Sequence, residues 1–259
     1  MFAGKYLLEL WHYRASFYFS SVITPMNKLS FLLLFIFGSN ALASPDISVG
    51  TLYDYMPAEK TTLLKRVRNL GDETAFVKIT LAEIVYGADG VPQERELPEE
   101  GGRQLVTSPS RLIIPASSMQ ATRFIYMGER ERERYFRVRF VPVKPQDDEI
   151  TELPPQQKIS AGVSIMTGFG TILFVAPQET RYDTRIEREN GALYVENRGN
   201  ATVILDYLEL CGEKERSCSQ PEKMHLLPGV KKRVSEEATR MVRFELTEGK
   251  KSVFRELKL

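Results

Sequence analysis

From Ser44 to Leu259 the chain is a succession of short runs in which apolar and polar residues alternate, each run closed by Gly, Pro, Asn or Asp. A period of two puts one set of side chains on one face of a strand and the other set on the opposite face. No convincing amphipathic helix interrupts the pattern. Such a chain can bury its apolar residues only by stacking antiparallel sheets face to face, which predicts an all-β protein.

The strands expected in the first half are Ile47 to Tyr55, Thr61 to Arg68, Thr74 to Tyr86, Arg111 to Ile114, Met119 to Tyr126, Arg134 to Phe140 and Ile159 to Val175. Their number and spacing predict an immunoglobulin-like sandwich. After Ala176-Pro177-Gln178 the pattern restarts, with strands at Thr180 to Glu187, Ala192 to Glu196, Thr202 to Leu210, Lys223 to Leu226, Val230 to Val234, Arg240 to Leu246 and Ser252 to Leu257. Turn signals at Asn190-Gly191, Arg198-Gly199-Asn200, Pro228-Gly229 and Glu248-Gly249 separate them. The expected organisation is one sandwich over residues 44–176 and a smaller one over 177–259, with the proline as hinge.

Residues 1–43 are expected to be removed. From Met26 the chain has Lys28, an apolar core from Leu29 to Phe37 and the small-residue pattern Ala41-Leu42-Ala43, the layout of a secretory signal peptide. The apolar core is short of the ~20 residues that cross a bilayer, so no membrane insertion of the mature chain is expected. Residues 1–25 sit awkwardly ahead of this signal, which points to a translation start at Met26. Cleavage removes Lys5, Arg14, Lys28 and Glu9 and takes the formal charge from +1 to −1. A near-neutral chain has no field to gather nucleic acid.

Cys211 and Cys218 are the only cysteines and flank the polar stretch GEKERS. An exported protein would oxidise them to a disulfide, whereas a redox pair or a zinc site lacks the spacing and the further ligands. The mature chain keeps one histidine, His225, so a nucleophilic triad has no second partner to draw on. The carboxylates near Pro98 and in QDDE lie in polar loops, unsuited to paired acid–base work. No phosphate-cradling run or metal-ligand cluster is present. Neither a catalytic role nor a metal or cofactor is expected.

Two stretches stand out. GVSIMTGFGTILFVAP, residues 162–177, is apolar on both faces and long for a single strand. In Glu129 to Phe140 alternation sends Phe136, Val138 and Phe140 to a core and leaves Tyr135, Arg137 and Arg139 opposite. Arginines so placed are either a solvated face or, in a cleft, a carboxylate clamp.

The blocks VTSPSRLIIPASSMQATRFIYMG, RYFRVRFVP, GTILFVAP, LYVENRGNATVILDYLELC and LLPGVKKRV, in that order and spacing, resemble the PapD-like periplasmic pilus chaperones. Within them the similarity is to the alternative branch that serves common-pilus and CfaA-type fimbriae, and it covers nearly all of Ser44 to Leu259. The resemblance implies two immunoglobulin-like domains in an L-shaped, boomerang arrangement, located in the periplasm. It also implies a last strand in the first domain that is lent to an incomplete fimbrial subunit by donor-strand complementation, and delivery of the pilin to an outer-membrane usher. On this chain the donor side chains would be Ala161, Val163, Ile165, Thr167 and Phe169. Family members hold the pilin carboxylate with an arginine on the first strand and a lysine late in the donor strand. Around Gly50 to Tyr55 and Thr167 to Ile172 this chain has no basic residue, so Lys65, Arg134 and Arg137 are the candidate anchors. The rival reading is an exported adhesin or carbohydrate-binding module, whose aromatic platform would rest on tyrosines, the mature chain having no tryptophan.

Overall fold

The structure is a computed structural model of the chain, and it describes residues 46–87, 90–97, 104–144, 166–212 and 217–259. All of these belong to one compact unit. Every regular element among the described residues is a strand. In chain order they are β1 (Ile47–Ser48), β2 (Tyr53–Met56), β3 (Thr62–Asn69), β4 (Ala75–Tyr86), β5 (Pro92–Glu96), β6 (Leu105–Ser108), β7 (Arg111–Ile114), β8 (Met119–Tyr126), β9 (Arg134–Val143) and β10 (Phe169–Val175). There follow β11 (Thr184–Glu189), β12 (Ala192–Asn197), β13 (Val203–Cys211), β14 (Glu222–Leu226), β15 (Lys231–Arg233), β16 (Met241–Glu248) and β17 (Lys251–Lys258).

The first ten strands make two sheets, β1-β3-β8-β6 and β2-β10-β9-β4, with β5 and β7 pairing successive stretches of the far edge of β4. The remaining strands make the sheets β11-β12-β15 and β14-β13-β16-β17. Each pair of sheets closes over its own apolar cluster. Phe124, Phe136, Phe140, Leu105 and Leu173 lie at the centre of the first, and Leu205, Leu226, Val242 and Phe244 at the centre of the second. The alternation read in the sequence is what fills them: on β9, Phe136, Val138 and Phe140 are fully buried while the residues between them are not. The architecture is two immunoglobulin-like sandwiches, as the pattern predicts.

The first expected strand is not one strand but two. Gly50 adopts φ 67°, a left-handed conformation that costs glycine nothing, and redirects the chain from one sheet to the other. β1 pairs antiparallel with β3, and after the switch β2 pairs parallel with β10. Two further strands, β5 and β6, were not expected. Pro92–Glu96 reads PQERE and is exposed along its whole length; an edge strand with both faces in solvent carries no apolar alternation to read. The Asn190-Gly191 turn does form, with φ of 49° and 78°, the pair of left-handed residues that a tight hairpin between β11 and β12 needs.

A buried asparagine repeats at the same place in both sandwiches. At the end of β3, Asn69 donates from Nδ2 to the carbonyls of Glu73, Ile114 and Pro115, and accepts from the Gly71 N–H. At the end of β12, Asn197 donates to the carbonyls of Ala201 and Leu226 and accepts from the Gly199 N–H. Each is an Asn-x-Gly step whose side chain satisfies backbone groups that no sheet reaches. Gly199 is required there, because a Cβ would stand 2.4 Å from the Arg181 carbonyl oxygen.

Because Phe136 is fully enclosed between the two sheets of the first sandwich, Phe136→Ala is expected to cost about 3–5 kcal/mol. Urea unfolding followed by circular dichroism should show the loss as a lower midpoint, whereas exposed Phe254→Ala should shift it little.

Candidate functional site

Strand β10 changes character at Ile172. From Ile172 to Val175 it is paired on both edges, antiparallel with β9 and parallel with β2, and the Ile172 N–H donates to the Leu52 carbonyl. From Phe169 to Thr171 it pairs with β9 alone, and no strand among the described residues covers the other edge. Backbone groups alternate along a strand, so Gly170, in phase with Ile172, turns its N–H and C=O to the uncovered side. Of the expected donor residues, Phe169 is half-buried against the chain's own first core and Thr167 is exposed just ahead of the strand. Ala161, Val163 and Ile165 lie outside the described residues.

The outer face beside this edge is cationic. Arg137 lies directly opposite Ile172, and Arg139 opposite Gly170. With no side chain on Gly170, the Arg137 stem runs across it: a Cβ there would lie 3.5 Å from Arg137 Cδ. A shallow depression of about 280 Å³ is lined by Arg137, Arg139, Val141, Gly168, Phe169 and Gly170. Glu94 on β5 faces both arginines, at 3.1 Å from Arg137 Nε and in direct contact with Arg139. Burial pulls the Glu94 carboxyl upward, but the hydrogen bonds from the two guanidiniums outweigh it and hold the group below its usual range.

The other two candidate anchors are committed within the fold. Lys65 is 4% exposed, and its amine donates to the Thr51 carbonyl at 2.6 Å, to Thr51 Oγ1 at 3.2 Å and to Asp54 Oδ2 at 2.8 Å. Those three acceptors use all three of its protons, so Lys65 pins the segment in which the chain changes sheets. Arg134 donates to Glu83 at 2.6 Å and to Gln104 at 2.5 Å, while Arg95 holds the same buried Glu83 from the other side. The structure therefore does not bring Lys65, Arg134 and Arg137 together into one cluster.

Near the far end of β10 the two sandwiches meet. His225 on β14 packs on Tyr53 with ring centroids 4.2 Å apart and stacks on Phe174 at 5.2 Å, and its Nε2 lies 2.6 Å from the Tyr55 hydroxyl. Burial first, and then Lys223, pull the imidazole down to about 4, with Asp206 opposing. The ring is accordingly neutral at pH 7. Glu133, 8% exposed, accepts from the Thr202 N–H, the Thr202 hydroxyl at 2.6 Å and the Tyr135 hydroxyl at 2.8 Å. Its pKa is raised by burial, which the hydrogen bonds from Thr202 and Tyr135 counter in part. Arg130 fastens the hinge by donating to the Ala176 carbonyl at 2.8 Å, while its own carbonyl accepts the Gln178 N–H. A cleft of about 450 Å³ opens beside the seam, walled by Glu83, Tyr86, Arg134 and Tyr135 from one sandwich and Asn200 and Pro228 from the other.

The sequence offers His225 no triad partner; in the structure its ring meets Phe174 and, about 170 positions earlier in the chain, Tyr53 and Tyr55. Glu133 gave no signal at all, since it sits in a run of alternating charges. Cys211 and Cys218 are bonded to each other, closing the end of β13. Among the described residues no group of His, Cys, Asp or Glu side chains is placed to hold a metal ion.

Two immunoglobulin-like sandwiches are the fold that this chain shares with solved fimbrial chaperones. In fold and in sequence the chain is related to that class. It is 28% identical over 208 residues to the probable fimbrial chaperone EcpB of Escherichia coli O157:H7, covering 80% of this chain and 88% of that one. The EcpB of Klebsiella pneumoniae strain 342 is 27% identical over 191 residues, 73% of this chain and 81% of that one. Among solved structures, the class 5 fimbriae chaperone CfaA superposes with a TM-score of 0.52 at 19% identity, covering 82% of this chain and 98% of that one. A chain from the complex of Salmonella enterica SafA pilin with the SafB chaperone superposes with a TM-score of 0.53 at 15% identity, covering 83% and 96%. No protein-family model matches the chain.

The seam makes a pH dependence with a definite sign. His225 is held at about 4, below its ordinary 6.5, so the unfolded chain takes up the proton first as pH falls. Its contribution to stability is complete above 6.5 and is lost between there and 4. Glu133, shifted upward, acts in the opposite sense over the range above its ordinary value. Solvent screening at a half-buried ring leaves an acid-side loss of about 1–2 kcal/mol from His225. Thermal melts between pH 7 and 4 should therefore be flatter in His225→Phe than in the unsubstituted protein.

Proposed function

We propose that the mature chain is a periplasmic, non-catalytic assembly chaperone that holds an incomplete fimbrial subunit on the uncovered edge of β10 and the residues leading into it. On this reading residues 1–43 are the cleaved export signal, 44–176 form the subunit-binding domain, and 177–259 form the second domain. The observation that carries the reading is the change at Ile172: the same strand is saturated on both edges toward the seam and, among the described residues, bare on one edge away from it. A subunit lacking one strand would pair with that edge through backbone hydrogen bonds while alternate side chains entered its groove. Ala161, Val163, Ile165 and Thr167 are the groove-filling residues of this proposal. Phe169, which packs on the chaperone's own core, marks where the donated stretch ends. Each buried aliphatic side chain would stabilise the complex by roughly 1.5–3 kcal/mol before ordering costs.

Arg137 is the anchor that the geometry favours. Its guanidinium lies on the outer face next to the uncovered edge and is about a third exposed, whereas Lys65 and Arg134 are nearly or largely enclosed by acceptors of their own. A subunit carboxylate arriving there would compete with Glu94 for two arginines, so capture is an exchange of ion-pair partners. The subunit would then pass to an outer-membrane usher, a transfer that needs no nucleotide because strand replaces strand.

A charge in the donor stretch tests the first part. Ile165→Asp is expected to abolish co-purification with the fimbrial subunit while leaving the melting temperature unchanged; an undiminished subunit yield would overturn the proposal. Arg137→Ala should weaken subunit affinity by about 1–2 kcal/mol, roughly tenfold, as read by titration of purified subunit–chaperone exchange. Equal affinity would remove Arg137 from the site.

A further inference from the structure

The outer face of the β9–β4–β7 sheet carries an apolar patch that the chaperone's own fold leaves unexplained. Phe76 on β4 lies directly between Ile113 on β7 and Val143 on β9, and Val141 stands one row further along β9. Ile113 is 62% exposed, Val141 40% and Val143 38%. The same row as Val141 holds Lys78 and Arg111, paired directly across the β4–β7 ladder. Like charges so placed repel and destabilise a sheet, and neither joins an ion pair among the described residues. Contiguous exposed apolar side chains bordered by uncompensated charge mark a surface made for a partner.

What covers it is indicated by its neighbour. Val141 belongs both to this patch and to the depression beside the start of β10, and Gly168 runs against Val141 and Pro142. The patch is therefore continuous with the uncovered edge and begins level with Gly168. A second copy of the chain fits poorly, because a twofold axis through this patch would bring the Lys78–Arg111 pair close to the same cations of the other copy. We propose that the patch is a second contact for the bound fimbrial subunit, taking an apolar side chain of the subunit on Ile113, Phe76 and Val143 and a subunit carboxylate between Lys78 and Arg111. The inference rests on the donor-edge reading. Its role is to orient the subunit and slow its release, since the rim cations supply the charge-assisted hydrogen bonds that a pairing of backbones alone lacks.

The test uses the full chain co-expressed with its fimbrial subunit, and compares Ile113→Ser/Val143→Ser and Lys78→Ser/Arg111→Ser with the unsubstituted protein. Both pairs alter exposed side chains, and unchanged melting curves would verify the fold. The complexes should form in normal yield but exchange subunit with labelled chaperone about tenfold faster. In Lys78→Ser/Arg111→Ser the release should also become less dependent on salt. Exchange within about twofold of the unsubstituted protein in both variants, or an effect confined to self-association of the empty chaperone in sedimentation, would overturn the proposal. Failure of the donor reading is separately visible: if Ile165→Asp still co-purifies with the subunit, the premise falls whatever these variants do.

Discussion

A strand hydrogen-bonded along both edges cannot take a partner, and a strand bonded along one edge will take almost any. β10 is both, divided at Ile172 by where β2 begins. That division follows from the sheet switch at Gly50: had the first strand continued along β3, β2 would not exist and β10 would be bare throughout. The switch is itself held by Lys65, whose buried amine gathers Thr51 and Asp54. A bare edge invites aggregation, and two features limit it here. Glycines at 168 and 170 leave little apolar surface on that side of the strand, and Arg137 and Arg139 set charge beside it.

The saturated half of β10 serves the joint between the sandwiches. Phe174 reaches His225, and Tyr53 and Tyr55 complete the stack from β2, so the aromatic seam hangs on the strands whose pairing is complete. Glu133 adds a buried carboxylate answered by three donors, two of them on Thr202. Burying a carboxylate costs about as much as its hydrogen bonds return, so its contribution is one of geometry more than of stability. The carboxylate must find Thr202, which fixes how the second sandwich meets the first. Arg130 does the same for the hinge backbone.

Alternation made most strands legible, because any strand with one face in a core has to show it. On β9 even the division of faces was readable from Arg134 to Phe140. What alternation cannot show is an edge strand wet on both faces, as with Pro92–Glu96, or a change of sheet inside an apolar run, as at Gly50. The candidate site was legible in outline and not in detail. The glycine-rich apolar stretch pointed to β10, but which half of it is paired depends on β2, more than a hundred residues earlier. Basic residues near the proposed donor stretch were legible by position along the chain, and only their neighbours separate Arg137 from Lys65, whose protons are all engaged. His225 and Glu133 owe their roles to contacts 170 and 69 residues distant, which no local pattern encodes.

The absence of a cation late in β10 is less of a departure than it looks in the sequence. Ile172 and Arg137 are direct cross-strand partners, so their side chains rise from the same face about 5 Å apart. A long guanidinium rooted on β9 and laid over Gly170 covers much the same outer surface that a lysine rooted at position 172 would cover. Moving the charge one strand over has a consequence for its chemistry. On β10 the cation would be rooted one strand further from Glu94; on β9 it is within reach of Glu94, which two arginines share. On the proposed reading an arriving carboxylate would replace one acceptor by another without stripping a fully hydrated cation, so binding there would be weaker per contact but incur less desolvation. On the proposed reading, in which the subunit is later given away, a shared and exchangeable ion pair is better suited than a solitary buried one.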